Sequence, residues 1–198
     1  MSFLQKTNLA QKIRECRKCP VRKEIRMPVP GEGPDDAIVV FIGRNPGKNE
    51  DKKNRPFIGR AGVLLDKIIK FLGLTRDQCG IVNTIRCFTP KNRAPTPEEI
   101  ETCKFWLMRE LAFFSEKRIL FPCGAEAFRS FLPQCRDNIS KVVGKAFRPE
   151  GSKITTIPLF HPAYILRNPS KETELFNFTL PRVKNYLDQR LEELKNES

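Results

Sequence analysis

Apolar residues along this chain follow two rhythms. Short unbroken runs predict strands covered on both faces, and the clearest is Ala37-Ile38-Val39-Val40-Phe41-Ile42. Similar runs near 80–85, 118–123 and 154–159 carry Ile81 and Val82, then Ile119, Leu120 and Phe121, then Ile157 and Leu159. Between them the spacing becomes helical. Leu64, Leu65, Ile68, Ile69 and Leu72 share one face of a helix near 61–72. Thr96-Pro97-Glu98-Glu99 supplies a capping residue, a proline at the first helical position and a capping-box glutamate, so a second helix runs to about Phe114. Gly124 leads into a third near 125–132, and a terminal helix occupies about 171–195.

Strands alternating with helices imply an α/β fold: a short, mainly parallel four-stranded sheet with helices on both faces. Ligands of such sheets bind outside the carboxyl ends of the strands. The loops after Ile42, Val82 and Leu159 therefore converge on one site.

The first of these loops is the most informative. It runs Gly43-Arg44-Asn45-Pro46-Gly47, passes Glu50, and continues through Asn54-Arg55-Pro56-Phe57-Ile58-Gly59-Arg60-Ala61-Gly62. A glycine-rich turn between a buried strand and a helix presents backbone N–H groups to a ligand. It contains neither GxxxxGK[ST] nor G-x-G-x-x-G, so neither a triphosphate loop nor a dinucleotide fingerprint is present. The ligand is held beside a carboxylate, an amide and an aromatic ring.

The length of 198 residues suits one domain over 1–198, with an N-terminal cysteine segment at about 10–30. Hydrophobic residues at 39% and charged residues at 30% exclude a disordered chain. No apolar stretch is long enough to span a membrane. The first residues lack the apolar core of a secretory signal, so a cytoplasmic location is expected. A net charge of +13 changes the picture, because it fits either a lysine-rich soluble surface or a polyanionic partner, and the loop chemistry must decide.

Seven cysteines without a signal peptide argue against a disulfide framework and for metal ligation or buried thiols. Cys16-Arg17-Lys18-Cys19 is a CxxC pair, with Cys87 and Cys103 further on. Four thiolates suit zinc or a [4Fe–4S] cluster, and Cys103 also reads as a core thiol on an apolar helix face. Cys79, Cys123 and Cys135 have no partner at ligand spacing.

These pieces occur together in one family. The chain resembles the family-4, iron–sulfur uracil-DNA glycosylases over about residues 10–170. The resemblance rests on Cys16-x2-Cys19, Arg55-Pro56-Phe57-Ile58-Gly59-Arg60-Ala61-Gly62 and Asn83-Thr84-Ile85-Arg86-Cys87. It rests further on Pro90-Lys91-Asn92-Arg93-Ala94-Pro95 with Glu99-Ile100-Glu101-Thr102-Cys103, and on His161-Pro162-Ala163-Tyr164-Ile165-Leu166-Arg167.

The resemblance implies a three-layer α/β/α sandwich and a monomeric, monofunctional glycosylase acting on uracil in double- or single-stranded DNA. It implies a [4Fe–4S] cluster on Cys16, Cys19, Cys87 and Cys103; charge alone then points the nearby Arg17, Lys18 and Arg86 to phosphate. Phe57 would stack on the base and Asn83 would read its edge, while Gly43, Arg44 and Gly47 border it. His161 would stabilise the departing base at O2, and Glu50 would stand at the C5 edge. Arg60, Asn92, Arg93, Tyr164, Ile165 and Arg167 would meet DNA, with Ile165 as the apolar wedge.

One motif departs from the family. A glutamate is usual where this chain has Arg44, and the pattern G-x-N-P-G is similar to the mismatch-specific uracil and thymine glycosylases. That likeness gives Asn45 the role of positioning the attacking water, and leaves Arg44 to contact phosphate or to pair with Glu50. Two alternatives stay open: a lesion range shifted toward hypoxanthine or T·G, and a DNA-binding module without turnover. A zinc-stabilised RNA-binding domain is a third reading.

Overall fold

The computed structural model describes residues 3–196. Its sheet has four parallel strands, β1 (Val39–Gly43), β2 (Cys79–Asn83), β3 (Ile119–Pro122) and β4 (Thr155–Thr156), in the spatial order β2-β1-β3-β4. β4 is shorter than the apolar run suggests. Its continuation reaches the sheet through a single bridge between Cys123 and Leu159.

The helices are α1 (Phe3–Arg14), α2 (Lys48–Lys53), α3 (Arg60–Phe71), α4 (Pro97–Phe113), α5 (Ala125–Arg129), α6 (Ile139–Val142), α7 (Pro162–Ile165), α8 (Pro169–Glu174) and α9 (Leu180–Asn196). A π-helical turn, Leu175–Thr179, joins α8 to α9, so the terminal helix expected over 171–195 has a widened turn within it. The capping box at the head of α4 forms as its sequence predicts. Thr96 accepts from the Glu99 N–H at 3.2 Å, and Glu99 accepts from the Thr96 N–H at 2.8 Å.

Alternation along β1 builds two cores. Val39 and Phe41 face the apolar stripes of α3 and α9, meeting Leu65, Ile68, Val183 and Leu187. Val40 and Ile42 face α4, meeting Leu107 and Leu111. The sheet is therefore the middle of three layers. A smaller cluster joins Ile13 of α1 to Ile85, Cys103 and Trp106, which docks the N-terminal segment on the edge of the domain. Asn54 strengthens that docking: it accepts from Arg14 Nε at 2.6 Å and donates to the Pro28 carbonyl at 2.8 Å. No helix among the described residues is long and apolar enough to cross a membrane.

The register brings the carboxyl ends together. Gly43 pairs with Asn83, and Ile42 pairs with Pro122. Beyond the bridge at Leu159 the chain turns through His161 into α7.

Candidate active site

A cavity of about 550 Å³ opens over these strand ends, and Asn45, Glu50, Phe57, Asn83, His161 and Tyr164 are among its walls. Gly43 ends β1 beside two of these walls, where a side chain has no room. A Cβ there would land on Asn83 Oδ1 and on the edge of the Phe57 ring. The glycine is required by close approach, since it is what lets an amide and an aromatic ring meet at the end of β1.

Phe57 holds an unusual backbone. Its φ of 49° lies in the left-handed region, which costs a non-glycine residue about 1–3 kcal/mol. The surroundings enforce it. Arg76 donates to the Phe57 carbonyl at 3.2 Å and to the Pro56 carbonyl at 2.7 Å, while pairing with Glu32 and Asp66. Gly62 leaves space for the Phe57 carbonyl, which any Cβ at that position would overlap. The ring ends 6% exposed and lies 5.9 Å from the His161 ring at an interplanar angle of 28°.

Glu50 is buried at the head of α3. Its Oε1 accepts from the Ile58 and Gly59 N–H groups at 3.0 and 2.7 Å, where the helix dipole favours a negative charge. The other oxygen turns toward Gly47, and a Cβ on Gly47 would stand 2.6 Å from Oε2. One carboxylate oxygen thus shapes the loop while its neighbour borders the cavity.

His161 caps α7. Its Nδ1 accepts from the Ala163 N–H at 3.1 Å. A neutral ring with Nδ1 so used carries its proton on Nε2. Burial pushes its pKa down to about 4, and the positive charges of Arg44 and Arg167 push the same way. The ring is therefore a neutral N–H donor at ordinary pH. A folded pKa below the usual 6.5 means that the unfolded chain binds the proton more readily. The stability this group contributes is complete above about pH 6.5 and is lost as pH falls toward about 4. Single-turnover rates measured against pH should accordingly show no histidine inflection between about pH 5 and 8. An inflection in that window that disappears in a His161 variant would reject the neutral-donor assignment.

Asn45 borders the cavity and is held by a hydrogen-bond network. Its Oδ1 accepts from Arg44 Nε at 2.6 Å, and its Nδ2 lies 3.0 to 3.3 Å from Pro46 O, Thr89 Oγ1 and Asn92 Oδ1. Arg44 does not pair with Glu50. Its guanidinium reaches the Asn92 carbonyl at 3.2 Å and Glu126 Oε1 at 3.9 Å. The reason lies in Glu50, whose carboxylate is already turned to the head of α3.

The expected DNA contacts divide. Arg60, Asn92, Arg93, Tyr164 and Arg167 are exposed, and Asn92, Tyr164 and Arg167 line the cavity. Arg93 is engaged within the chain, where its fork binds Glu99 at 2.8 and 2.6 Å and lowers that carboxyl's pKa. Ile165 corrects the wedge expectation. It is fully buried against α3, because the short helix begun by His161-Pro162 turns position 165 inward and position 164 outward. Arg86 is a second correction. It is 1% exposed and paired with the buried Glu110, so it faces no phosphate. Arg17 and Lys18 are exposed as expected, and Lys18 Nζ lies 4.2 Å from the centroid of the Phe105 ring.

The four cysteines of the frame gather at the edge where α1 meets α4. Cys16 Sγ accepts from the Trp106 indole N–H at 3.1 Å, and Cys103 Sγ accepts from the Arg86 N–H at 3.3 Å. Burial pushes the Cys87 thiol up, and the Cys103, Cys19 and Cys16 thiols add to the shift, which marks the four as neighbours. No three His, Cys, Asp or Glu among the described residues stand close enough to hold a single metal ion. The thiols fit a cluster in two respects: the donor set is all sulfur, and two of the sulfurs already accept N–H bonds of the kind that tune cluster ligands. Cys79 and Cys123 lie apart as core thiols, each pushed up to about 12 by burial.

Sequence reasoning missed Glu126 and residues 138–140 at the head of α6, both on the cavity wall. Glu126 follows Gly124 at the carboxyl end of β3, a position that the strand-end rule marks.

Comparison with known proteins matches these features. A family model described as the Uracil DNA glycosylase superfamily matches residues 30–195. The type-4 uracil-DNA glycosylase of Thermotoga maritima is 37% identical over 164 residues, covering 83% of this chain and 84% of the relative. The type-4 enzyme of Archaeoglobus fulgidus is 37% identical over 173 residues, covering 84% and 86%. A type-5 uracil-DNA glycosylase of Thermus thermophilus is 30% identical over 153 residues, covering 62% and 69%. With its strand-end cavity and its four-thiol edge, the chain belongs to the uracil-DNA glycosylase superfamily and, within it, to the type-4 family.

Proposed function

We propose that this chain is a monofunctional uracil-DNA glycosylase that hydrolyses the N-glycosidic bond of uracil in DNA and leaves an abasic site. The observation that carries the reading is the convergence of Asn83, Phe57 and a neutral His161 on one cavity at the strand ends.

Catalysis on a base requires its extrusion from the duplex. The uracil enters beside Phe57, and the Asn83 amide pairs its donor with O4 and its acceptor with N3–H. As the bond breaks, negative charge grows at O2 and positive charge on the sugar. The Nε2–H of His161 meets the first, in a pocket where Arg44 and Arg167 already make the potential positive. The free oxygen of Glu50 stands for the second and borders the C5 edge. Asn45 is neutral and orients the attacking water without acting as a base, with Arg44 fixing which end of its amide is the oxygen. Tyr164, exposed beside the buried Ile165, takes the place at the duplex.

Cys16, Cys19, Cys87 and Cys103 would hold a [4Fe–4S] cluster, which supplies a covalent tie between the N-terminal segment and the core. The purified protein is then brown with broad visible absorption; a colourless, zinc-containing preparation would remove the cluster.

Incubation with a single-uracil oligonucleotide followed by alkali should yield a cut strand. No cut appears before alkali, because no lysine among the described residues lines the cavity. An intact strand after alkali would favour a DNA-binding module. In the same assay Asn45→Ala should slow the chemical step by about 10²-fold with little change in DNA affinity; equal rates would take Asn45 out of the mechanism.

A further inference from the structure

We propose that Arg86 is a positioning residue for Asn83, and that the buried Arg86–Glu110 pair links the thiol edge to the base-reading end of β2. The proposal rests on the uracil reading of Asn83 given above.

Arg86 has three attachments that no surface arginine would need. Its Nη1 donates to the carbonyl of Asn83, its Nη2 pairs with Glu110, and its backbone N–H donates to Cys103 Sγ at 3.3 Å. Its carbonyl accepts from the Val29 N–H at 2.7 Å. Glu110 is equally enclosed and accepts from the Gly31 N–H at 2.6 Å. One arginine therefore fixes the peptide at Asn83, a sulfur of the cysteine frame and, through Glu110, the segment that leads into β1.

A buried ion pair is weak evidence for stability, since matched apolar residues often serve as well. What an apolar pair cannot supply is direction. The planar guanidinium fork sends donors to two fixed points at once, here Glu110 and the Asn83 carbonyl. That carbonyl ends β2, just where the register Gly43–Asn83 closes and the Thr84 N–H donates to the Gly43 carbonyl at 2.7 Å. A small rotation of this peptide would swing the Asn83 amide, which stands against Gly43 and Phe57. The pair thus holds the amide at the angle at which it reads a base, and it does so from the wall shared with Cys103.

The test separates orientation from folding. Arg86→Met with Glu110→Gln removes both charges and keeps an acceptor for the Gly31 N–H. Single-turnover excision is measured on uracil and on N3-methyluracil in the same oligonucleotide, since the methyl group deletes the N–H that Asn83 reads. In the double variant the ratio of the two rates should fall at least tenfold, with visible absorption and thermal midpoint retained. A smaller fall in a folded, coloured variant overturns the proposal, because a merely structural role slows both substrates alike. Should the double variant not fold, Arg86→Lys keeps the charge but lacks the fork, and the same tenfold criterion applies. If the parent chain excises no uracil, the proposed function fails on its own. Hydrogen exchange of the parent and variant then decides this proposal: the Thr84 amide should lose at least tenfold protection relative to β3, and unchanged protection rejects the link.

Discussion

An Asn83→Asp chain excises uracil about 10²-fold more slowly than its parent and gains a measurable rate on cytosine. Asn83 is 3% exposed at the end of β2, so whatever replaces its amide is read without competing water. An ionised aspartate offers only acceptors, leaving uracil O4 facing a like charge. Burial favours the protonated form instead, because a carboxylate loses solvation there. Protonated aspartate presents one donor and one acceptor that can swap places. It can thus accept from the amino group of cytosine and donate to its N3. The same protonated acid can also pair with uracil, so the loss comes from the ionised fraction, whose single mispaired contact at O4 costs about 1–3 kcal/mol in a dry pocket. Paired single-turnover assays on U·G and C·G duplexes decide it. A uracil rate within tenfold of the parent would remove Asn83 from base reading.

His161→Ala should lower the single-turnover rate by about 10²–10³-fold, the usual effect of removing one preorganised donor from a developing oxyanion. The same change deletes the cap on α7, which costs about 1 kcal/mol of stability. Thermal unfolding and kinetics can separate these losses. His161→Asn keeps a good capping side chain but spends its oxygen on the cap, and its short amide does not extend to where Nε2–H points. Stability should return to near the parent's while the rate stays low. A rate that recovers together with stability would show that the histidine serves only the helix.

Much of the scaffold was legible because single residue types report it directly. Unbroken apolar runs gave β1, β2 and β3 to within a residue or two, and the Thr96 capping box gave the start of α4. The candidate site was legible mainly through motif resemblance, and the structure brings Asn45, Glu50, Phe57, Asn83 and His161 to one cavity. What escaped were pairings between distant segments. A basic residue in Ile85-Arg86-Cys87 reads as surface, and only the fold reveals Glu110 of α4 waiting beneath it. Arg44 faced the same uncertainty: its partner Glu126 lies on α5, which follows the neighbouring strand β3, while Glu50, closer in sequence, is engaged at the head of α3. Ile165 was misjudged because its outward or inward direction depends on the phase of a four-residue helix, Pro162–Ile165, too short to show a period.

The indole of Trp106, which donates to Cys16 Sγ, is the only tryptophan in the chain. Its packing with Ile13, Ile85 and Cys103 places the sole strong fluorophore on the edge where the N-terminal segment docks, and none within the sheet. Ultraviolet emission from this protein therefore watches one corner rather than the whole molecule. Release of the docked segment would change emission while the sheet stays intact, whereas loss of the sheet, on which Leu107 and Leu111 of the same helix pack, would change emission and circular dichroism together.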